Sequence, residues 1–488
     1  MIPHNLTALT AYALVLHITV WTLVPFFTNA NVPLDIILNN PPSDTLAWGY
    51  AHHPPLLAWL FTLWRALTPH SDLFVYLLSQ LCVVTSMVAI WQLAKQITTP
   101  LNACLAVLFV QGSLYHTYLS PEFNHNVILL PLWSLAILAF YHALHSNSWR
   151  AWAAWSVAIL ATMLAKYTSA LLILAMLAVL SFPPYRHHLR NPRLYAAASI
   201  AFLLFLPHIF WLVDNHFSTV HYALARGSTP TLVWYEAVLS PLRFVLAQFL
   251  HVTPMLLFWL ALGCPRPQAL THALTKEQRY FLLPLIIMPF VLATFASWLL
   301  SLQLRTQWGT PFLLLLPVLI VLAIRLPDRI PSRSFLAVWL ALLVTTAAAY
   351  PLAAYAKPYL THTIKRSQFP GKQLSDHIHQ LWHEQSATPL PIIIGDRWVA
   401  GLVRYYTRKN PPHLFVPPLS PHQRSLATEG AIILTLAPQD PSQPRDDCPR
   451  PHTFALTPDT VVPVSPLIFH GIIVPPHTSC LPSLVSTR

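Results

Sequence analysis

The chain has 488 residues, 55% of them hydrophobic and 9% charged, where a soluble domain carries about a quarter charged residues; an ordinary water-soluble enzyme is excluded, and lipid becomes the solvent for most of the chain. Only 10 glycines stand beside 47 prolines, none spaced for a nucleotide-binding loop, so ATP-driven and dinucleotide chemistry lose support. The net charge of +12 is no nucleic-acid signal, because many Lys and Arg sit in short loops between apolar stretches, where they set topology.

In chain order, apolar stretches predict membrane helices near 8–27, 73–94, 101–118, 126–145, 150–165, 168–183, 195–214, 240–262, 280–300, 310–324 and 334–356, eleven in all. With the N-terminus in the cytoplasm, the inner loops carry eleven Lys and Arg (Lys95, Arg150, Arg186, Arg190, Arg193, Arg266, Lys276, Arg279, Arg325, Arg329, Arg333) against five outside (Arg65, Lys166, Arg226, Arg243, Arg305). This asymmetry favours that orientation. It also requires two short helices joined at Lys166-Tyr167-Thr168, since one long helix would put the basic cluster at 185–193 outside. The first span is expected to remain as an anchor.

From Lys357 the character changes. Short β-like runs at 391–395, 413–416, 431–436 and 467–474, with a helix over 399–408, predict a small α/β domain. The expected architecture is an α-helical polytopic membrane domain over 1–356, with a first extracytoplasmic loop at 28–72, followed by an extracytoplasmic α/β domain over 357–488. Cys448 and Cys480 fall in this exported part, where a disulfide is permitted; no cysteine pair has the spacing of a zinc site.

Of eight carboxylates before residue 357 (Asp35, Asp44, Asp72, Glu122, Asp214, Glu236, Glu277, Asp328), all but Glu277 and Asp328 fall on the outer side in this topology. Ionisable groups beside a bilayer mark function, so chemistry is expected there. The long first loop holds Pro33-Leu-Asp35 near one end and His52-His53-Pro-Pro near the other, then an apolar stretch, 56–67, too short to span and suited to the interface. Glu122 and Asn124 occupy the next outer turn. Lys166 stands between two short helices, and Arg305 precedes Thr306-Gln-Trp308. Each has a bland alternative: a turn or cap for Asp35, Asp44 and Glu122, a cap for the histidines, snorkelling for Lys166. Trp48, Tyr50 and Trp308 are candidates for stacking on a sugar. His52, His53, His116, Glu122 and His125 offer ligands for a divalent cation, but without a fixed metal-site spacing, so no metal ligand is assigned. Asp396 and Trp398 read as a helix cap and a packing aromatic.

The order Pro33-Leu-Asp35, Trp48-Gly-Tyr50, His53-Pro-Pro-Leu56, Pro121-Glu-Phe-Asn124, Ala165-Lys-Tyr167 and Gly395-Asp-Arg-Trp398 resembles the bacterial family 39 or PMT-2 type glycosyltransferases. These are GT-C enzymes that use polyprenyl-phosphate sugars and include aminoarabinose and protein mannosyl transferases. The resemblance implies a GT-C fold and inverting transfer to an envelope acceptor (lipid A, another glycolipid, a polysaccharide or a protein) at the periplasmic face of a bacterial inner membrane. It implies Asp35 as general base and Lys166 as a contact to the donor phosphate. His52-His53 stand where close relatives commonly read Lys-His, so a phosphate contact by this motif would need a protonated imidazole or a metal ion.

The residues suit that chemistry. A phosphate leaving group needs cations to meet its growing negative charge, and Lys166, Arg305 and Arg243 are available; the attacking hydroxyl or amine needs one base on the opposite face. Two carboxylates flanking one bond, as in glycosidases, are not required. The competing reading is a transporter or flippase of lipid-linked sugars, which would show inverted repeats and charges at the bilayer midplane; neither is evident. A third is an assembly subunit whose tail recruits partners.

Overall fold

The computed structural model describes residues 5–38, 46–227, 234–324, 332–361, 363–407, 410–417, 419, 423, 426, 430–436, 452–456 and 467–474. The sequence expectations for Asp44, Asp328, Cys448 and Cys480 lie outside these residues. The chain divides into two compact units. One comprises 1–23, 47–59 and 76–348; the other comprises 24–46, 60–75 and 349–488.

Among the described residues six helices are long and apolar enough to cross a membrane: Leu6–Thr28, Asp72–Ile97, Leu129–Ser146, Pro192–Asp214, Lys276–Leu299 and Arg333–Thr361. A seventh crossing forms if the pair Leu239–Leu250 and Met255–Ala261, bent by 43°, is one broken span. The expected count of eleven is therefore not met by helix length. The helix begun at Pro100 ends at Val110, and the rest of the expected 101–118 span is a series of turns reaching 128. Such backbone is tolerated at depth only when protein satisfies it. Here Thr117 Oγ1 donates to Ser113 O (2.9 Å), Ser120 Oγ to Thr117 O (2.7 Å) and Ser79 Oγ to Ser120 O (2.5 Å). The expected 310–324 span shortens likewise to Leu316–Ala323.

Local sequence explains the helix ends. Asn147, at φ 44°, closes Leu129–Ser146 in the left-handed conformation that asparagine tolerates. Ser148 then caps Trp149–Ala165 by accepting from Ala151 N at 3.2 Å. Thr275 and Gln278 form a reciprocal capping box at the start of Lys276–Leu299. At Lys166 the backbone is extended (φ −166°, ψ 136°), and a 3-10 turn over Tyr167–Ser169 starts the next helix, Ala170–Ser181. The two short helices expected around Lys166 are thus present.

The second unit contains a five-stranded sheet. Its strands are β1 (Ile392–Gly395), β2 (His413–Phe415), β3 (Ala431–Leu436), β4 (His452–Leu456) and β5 (Leu467–Val474), in the order β2-β1-β3-β5-β4. β1 is parallel to β2 and β3, while β5 runs antiparallel to β3 and β4. The near-continuous Ile and Leu runs of β1 and β3 suit strands buried on both faces, and Ile392, Ile394, Ala431, Ile433 and Ile472 share one core cluster. Gly395 admits the neighbouring strand, since a Cβ there would lie 2.5 Å from Leu434 O. Helix Val399–Tyr406 follows β1, capped by Asp396, whose Oδ1 accepts from Trp398 N (2.9 Å) and Val399 N (3.1 Å). Trp398 packs on Phe369 with ring centroids 4.6 Å apart. Both side chains fill the structural roles expected from the sequence.

Candidate active site

In the first unit, the segment 47–59 folds into a tight turn. Tyr50 N donates to His53 O (3.2 Å) and His53 N to Tyr50 O (3.3 Å), after which Pro54 and Pro55 lead into helix Leu56–Leu67. Gly49 is needed because a Cβ there would fall 2.2 Å from the Trp211 ring. Trp59 Nε1 donates to Ala47 O at 2.8 Å, and the Trp48 and Trp59 rings meet edge to face at 5.0 Å. The turn thereby presents His52 and His53 side by side.

His53 stacks on His125, with centroids 3.8 Å apart at 30°, and meets the edge of Tyr222 at 5.5 Å; His52 packs on Tyr222 at 4.3 Å. The Ala165 carbonyl can only accept, so His125 Nδ1 donates to it (3.1 Å). Burial, followed by electrostatic coupling to His125, Lys166, His52 and Arg226, holds His53 well below the ordinary histidine value. Burial likewise lowers His125 to about 3, with Lys166 adding to the effect against its bond to Ala165 O. Both rings are neutral at physiological pH.

The ammonium of Lys166 donates to Asn126 Oδ1 and lies 5.7 Å from the centre of the Trp308 ring. Asn124 works one step behind: its Oδ1 accepts from Asn126 N (2.8 Å) and Val127 N (3.2 Å), which fixes the turn that carries Asn126. Glu122 is exposed on the same turn. Trp308 belongs to the 3-10 turn Thr306–Gly309. That turn is held by Gln248, which donates to Thr306 O at 2.9 Å and accepts from the Tyr115 hydroxyl at 2.7 Å. Gly309 leaves room for the Gln248 amide, where a Cβ would stand 2.4 Å from Cδ.

Arg305 is exposed and reaches the Arg226 carbonyl through Nε and Nη2, each at 3.3 Å. Arg226 in turn donates to the Tyr222 hydroxyl at 2.8 Å. The structure thus joins His52, His53 and Lys166 in one cluster with His125 and Asn126, and links Arg305 to it through Arg226 and Tyr222.

A second chain of bonds ties the region together. His208 Nδ1 donates to Trp48 O (2.6 Å), because that carbonyl only accepts; Nε2 then accepts from the Tyr167 hydroxyl (2.8 Å), and Tyr167 accepts from Thr219 Oγ1 (2.8 Å). Tyr167 adjoins Lys166, so this chain helps to set the lysine. Sequence reading did not single out Tyr222, Arg226 or His208 as site residues. The available signal for His208 was an ionisable ring inside an otherwise apolar helix; for the other two it was an i, i+4 pair in a short polar helix.

Asp35 belongs to the second unit. It is half-buried in the first turn of a short helix, Leu34–Leu38, that follows Pro33. Ile37 of that helix packs where a Cβ on Gly401 would come within 2.8 Å of it. Just before it, Ala30 N and Asn31 N donate to Ser367 O at 2.8 and 3.1 Å. Among the described residues no group of three or more His, Cys, Asp or Glu side chains is arranged to hold a metal ion.

Residues 52–211, which include His52, His53, Glu122, Asn124 and Lys166, match the family described as dolichyl-phosphate-mannose-protein mannosyltransferase, PMT_2. The chain is 24% identical over 384 residues to the lipopolysaccharide core galacturonosyltransferase RgtB of Rhizobium johnstonii, covering 74% of each protein. Its fold is similar to the crystal structure of ArnT from Cupriavidus metallidurans bound to undecaprenyl phosphate, with a TM-score of 0.56 at 13% identity over 98% of this chain and 100% of that one. Family match over 52–211, curated relative and fold agree, and the chain is a glycosyltransferase similar to those of the PMT-2 and GT-C type.

Proposed function

We propose that this glycosyltransferase moves a sugar, with inversion, from a polyprenyl-phosphate carrier to an envelope acceptor on the periplasmic face of a bacterial inner membrane. The N-terminus is cytoplasmic and residues 357–488 are periplasmic in this reading. The acceptor hydroxyl or amine attacks the anomeric carbon and forms the new glycosidic bond, while the bond from that carbon to the phosphate oxygen breaks. The acceptor's proton passes to Asp35, and polyprenyl phosphate leaves. Lys166 meets the negative charge that grows on the leaving phosphate, supported by Arg226 and Arg305, with one imidazole N–H available from the His52-His53 turn. Glu122 remains a candidate for sugar contact, and Asn124 acts through Asn126.

The observation that carries this reading is the Lys166 ammonium set on Asn126 beside the packed imidazoles of His53 and His125, all within the stretch that matches the family, with the face of Trp308 from outside that stretch. An aromatic plane next to a cation suits a sugar phosphate: the ring covers the sugar's C–H face and the ammonium meets the oxyanion. The name of the relative RgtB makes a lipopolysaccharide core the first acceptor fraction to try. The test is incubation of the purified full-length protein with a labelled polyprenyl-phosphate sugar and fractionated envelope extract. Transfer of label to a glycolipid fraction by the wild type, lost in Asp35→Asn, is expected. Absence of transfer to every fraction by folded wild-type protein, or full transfer by Asp35→Asn, overturns the proposal.

A further inference from the structure

The second unit contains a cavity of about 310 Å³ that no sequence motif or comparison assigns to a function. It is walled by the end of helix Leu56–Leu67, the turn into Asp72, and helices Gly371–His383 and Val399–Tyr406, and its lining includes Trp64, Arg65, Asp72, Lys372, Tyr405 and Tyr406. We propose that this cavity binds an anionic saccharide unit, a carboxylated or phosphorylated sugar, of the acceptor; this deepens the transferase reading above and rests on it.

The cavity is a built site. Asp72 accepts from the Tyr405 hydroxyl through Oδ1 and from the Tyr406 hydroxyl through Oδ2, both at 3.2 Å, and Tyr406 also donates to Asn31 Oδ1 at 2.9 Å. Burial and the Asp72 charge raise Tyr406, so its hydroxyl stays protonated as a donor. Trp64 Nε1 donates to Phe74 O at 2.7 Å, which fixes the indole plane in the wall. The Arg65 guanidinium lies 5.9 Å from the Tyr405 ring centre. The charged lining comprises two cations, Arg65 and Lys372, and one carboxylate, Asp72, which also accepts from two tyrosines. Fixed aromatic walls with an excess of cation match a sugar bearing an oxyanion: the rings take its C–H faces, while guanidinium and ammonium take the anion. A cavity this size holds one to two sugar rings, near the lower end of ligand pockets at about 300 Å³.

The same oxyanion chemistry could come from a phospholipid headgroup, because helix Leu56–Leu67 exposes Leu63 and Leu67. The experiment separates the two sources. The full-length protein, in nanodiscs of phosphatidylcholine alone or with phosphatidylglycerol, is titrated with digalacturonate and with neutral digalactose, without donor. Digalacturonate is expected to bind at least about tenfold tighter than digalactose. The double variant Arg65→Gln with Lys372→Gln should lose about tenfold or more of that affinity, and Trp64→Leu should weaken digalacturonate but not inorganic phosphate. Equal binding of the two disaccharides, unchanged binding in the double variant, or displacement of digalacturonate by phosphatidylglycerol overturns the proposal. Binding of polyprenyl phosphate, measured on the same samples, must survive the double variant and weaken in Lys166→Met. A failure there falls on the transferase reading and leaves the cavity measurement standing.

Discussion

Replacing Lys166 by Met is the sharpest test of where the leaving group's charge is met. Methionine keeps the length and the apolar stem of lysine and removes only the ammonium. Lys166 lies at an extended break between two helices, not inside either, so the change leaves both helices and the Tyr167, His208 and Trp48 chain of bonds in place. The size of the effect follows from the setting. An ammonium and a phosphate oxyanion at about 4 Å attract by about 4 kcal/mol at an effective dielectric constant near 20. Lys166 is partly exposed and already donates to Asn126, which reduces that to roughly 2–3 kcal/mol of transition-state stabilisation. At about 1.4 kcal/mol per factor of ten, kcat should fall by roughly 30- to 150-fold. Lys166→Arg should retain more activity than Met because it keeps the charge, though its planar fork fits the Asn126 amide less well. Initial rates over a range of polyprenyl-phosphate sugar separate kcat from KM, and Tm confirms folding. If folded Lys166→Met keeps kcat within about threefold of wild type, the ammonium does not meet the leaving phosphate and the assignment is wrong.

Asp35→Asn removes the base without altering shape, and transfer should fall by about a hundredfold or more with Tm within a few degrees of wild type; a normal rate argues that another group takes the proton. His53 and His125 are both held below the ordinary histidine value. Their neutral forms therefore favour the folded state, so their contribution to stability is complete above about pH 6.5 and is lost progressively as pH falls toward the folded values. Thermal unfolding from pH 8 to 5 should show Tm dropping below about 6.5, with a shallower drop in His125→Asn, and an equal slope in both proteins contradicts the burial argument. Donor-lipid affinity should move the other way and rise as pH falls from 8 to 6, as read by titration of polyprenyl phosphate; a flat profile removes His53 from the phosphate. Gly49→Ala puts a Cβ 2.2 Å from the Trp211 ring, an overpacking cost of about 1–3 kcal/mol, and should lower Tm and weaken transfer together, whereas a variant as stable as wild type would mean that the His52-His53 turn is not wedged on that ring.

The length of apolar stretches located the long helices, because a stretch with no polar interruption has few alternatives in lipid. It failed where a stretch was apolar but its backbone was not helical. Between Gln111 and Ile128, Gly112, Ser113, Ser120, Pro121 and Asn124 break the helix, yet Tyr115, Phe123 and Val127 are buried and keep the composition membrane-like. The strands at 392–395, 413–415, 431–436 and 467–474 were legible from β-branched runs. β4 at His452–Leu456 was not, since five residues with one aromatic next to Pro451 carry too little pattern. Helix Gly371–His383 hid its face for a different reason. Leu374, Ile378 and Trp382, spaced four apart and almost fully buried, are its apolar stripe among mostly polar residues. At the site, Lys166 and the two histidines were read from a motif order, and their chemistry from residue type. The stacking of His53 on His125 was not readable, because it joins residues from separate loops. Nor was the tie from Arg305 through Arg226 to Tyr222, which depends on a carbonyl, and carbonyls carry no sequence signal.

Under the proposed function, His53 gives a site with fewer lysines than its family resemblance implies a second cation for the donor phosphate. What lowers His53 is removal from water together with the cations around it; neither is a fixed property of the ring. A phosphate arriving beside Lys166 brings negative charge to the place where the cations act, so it cancels their effect on His53 and raises that ring toward its ordinary value. Proton uptake by His53 and donor binding then become linked, each favouring the other. A lysine in the same position would carry its charge at all times and repel Lys166 in the empty enzyme. The histidine stays neutral until the anion comes, stacked at 3.8 Å on a His125 ring that is itself anchored to Ala165 O. The cost of holding two cations side by side is thereby confined to the bound state, where the phosphate compensates it.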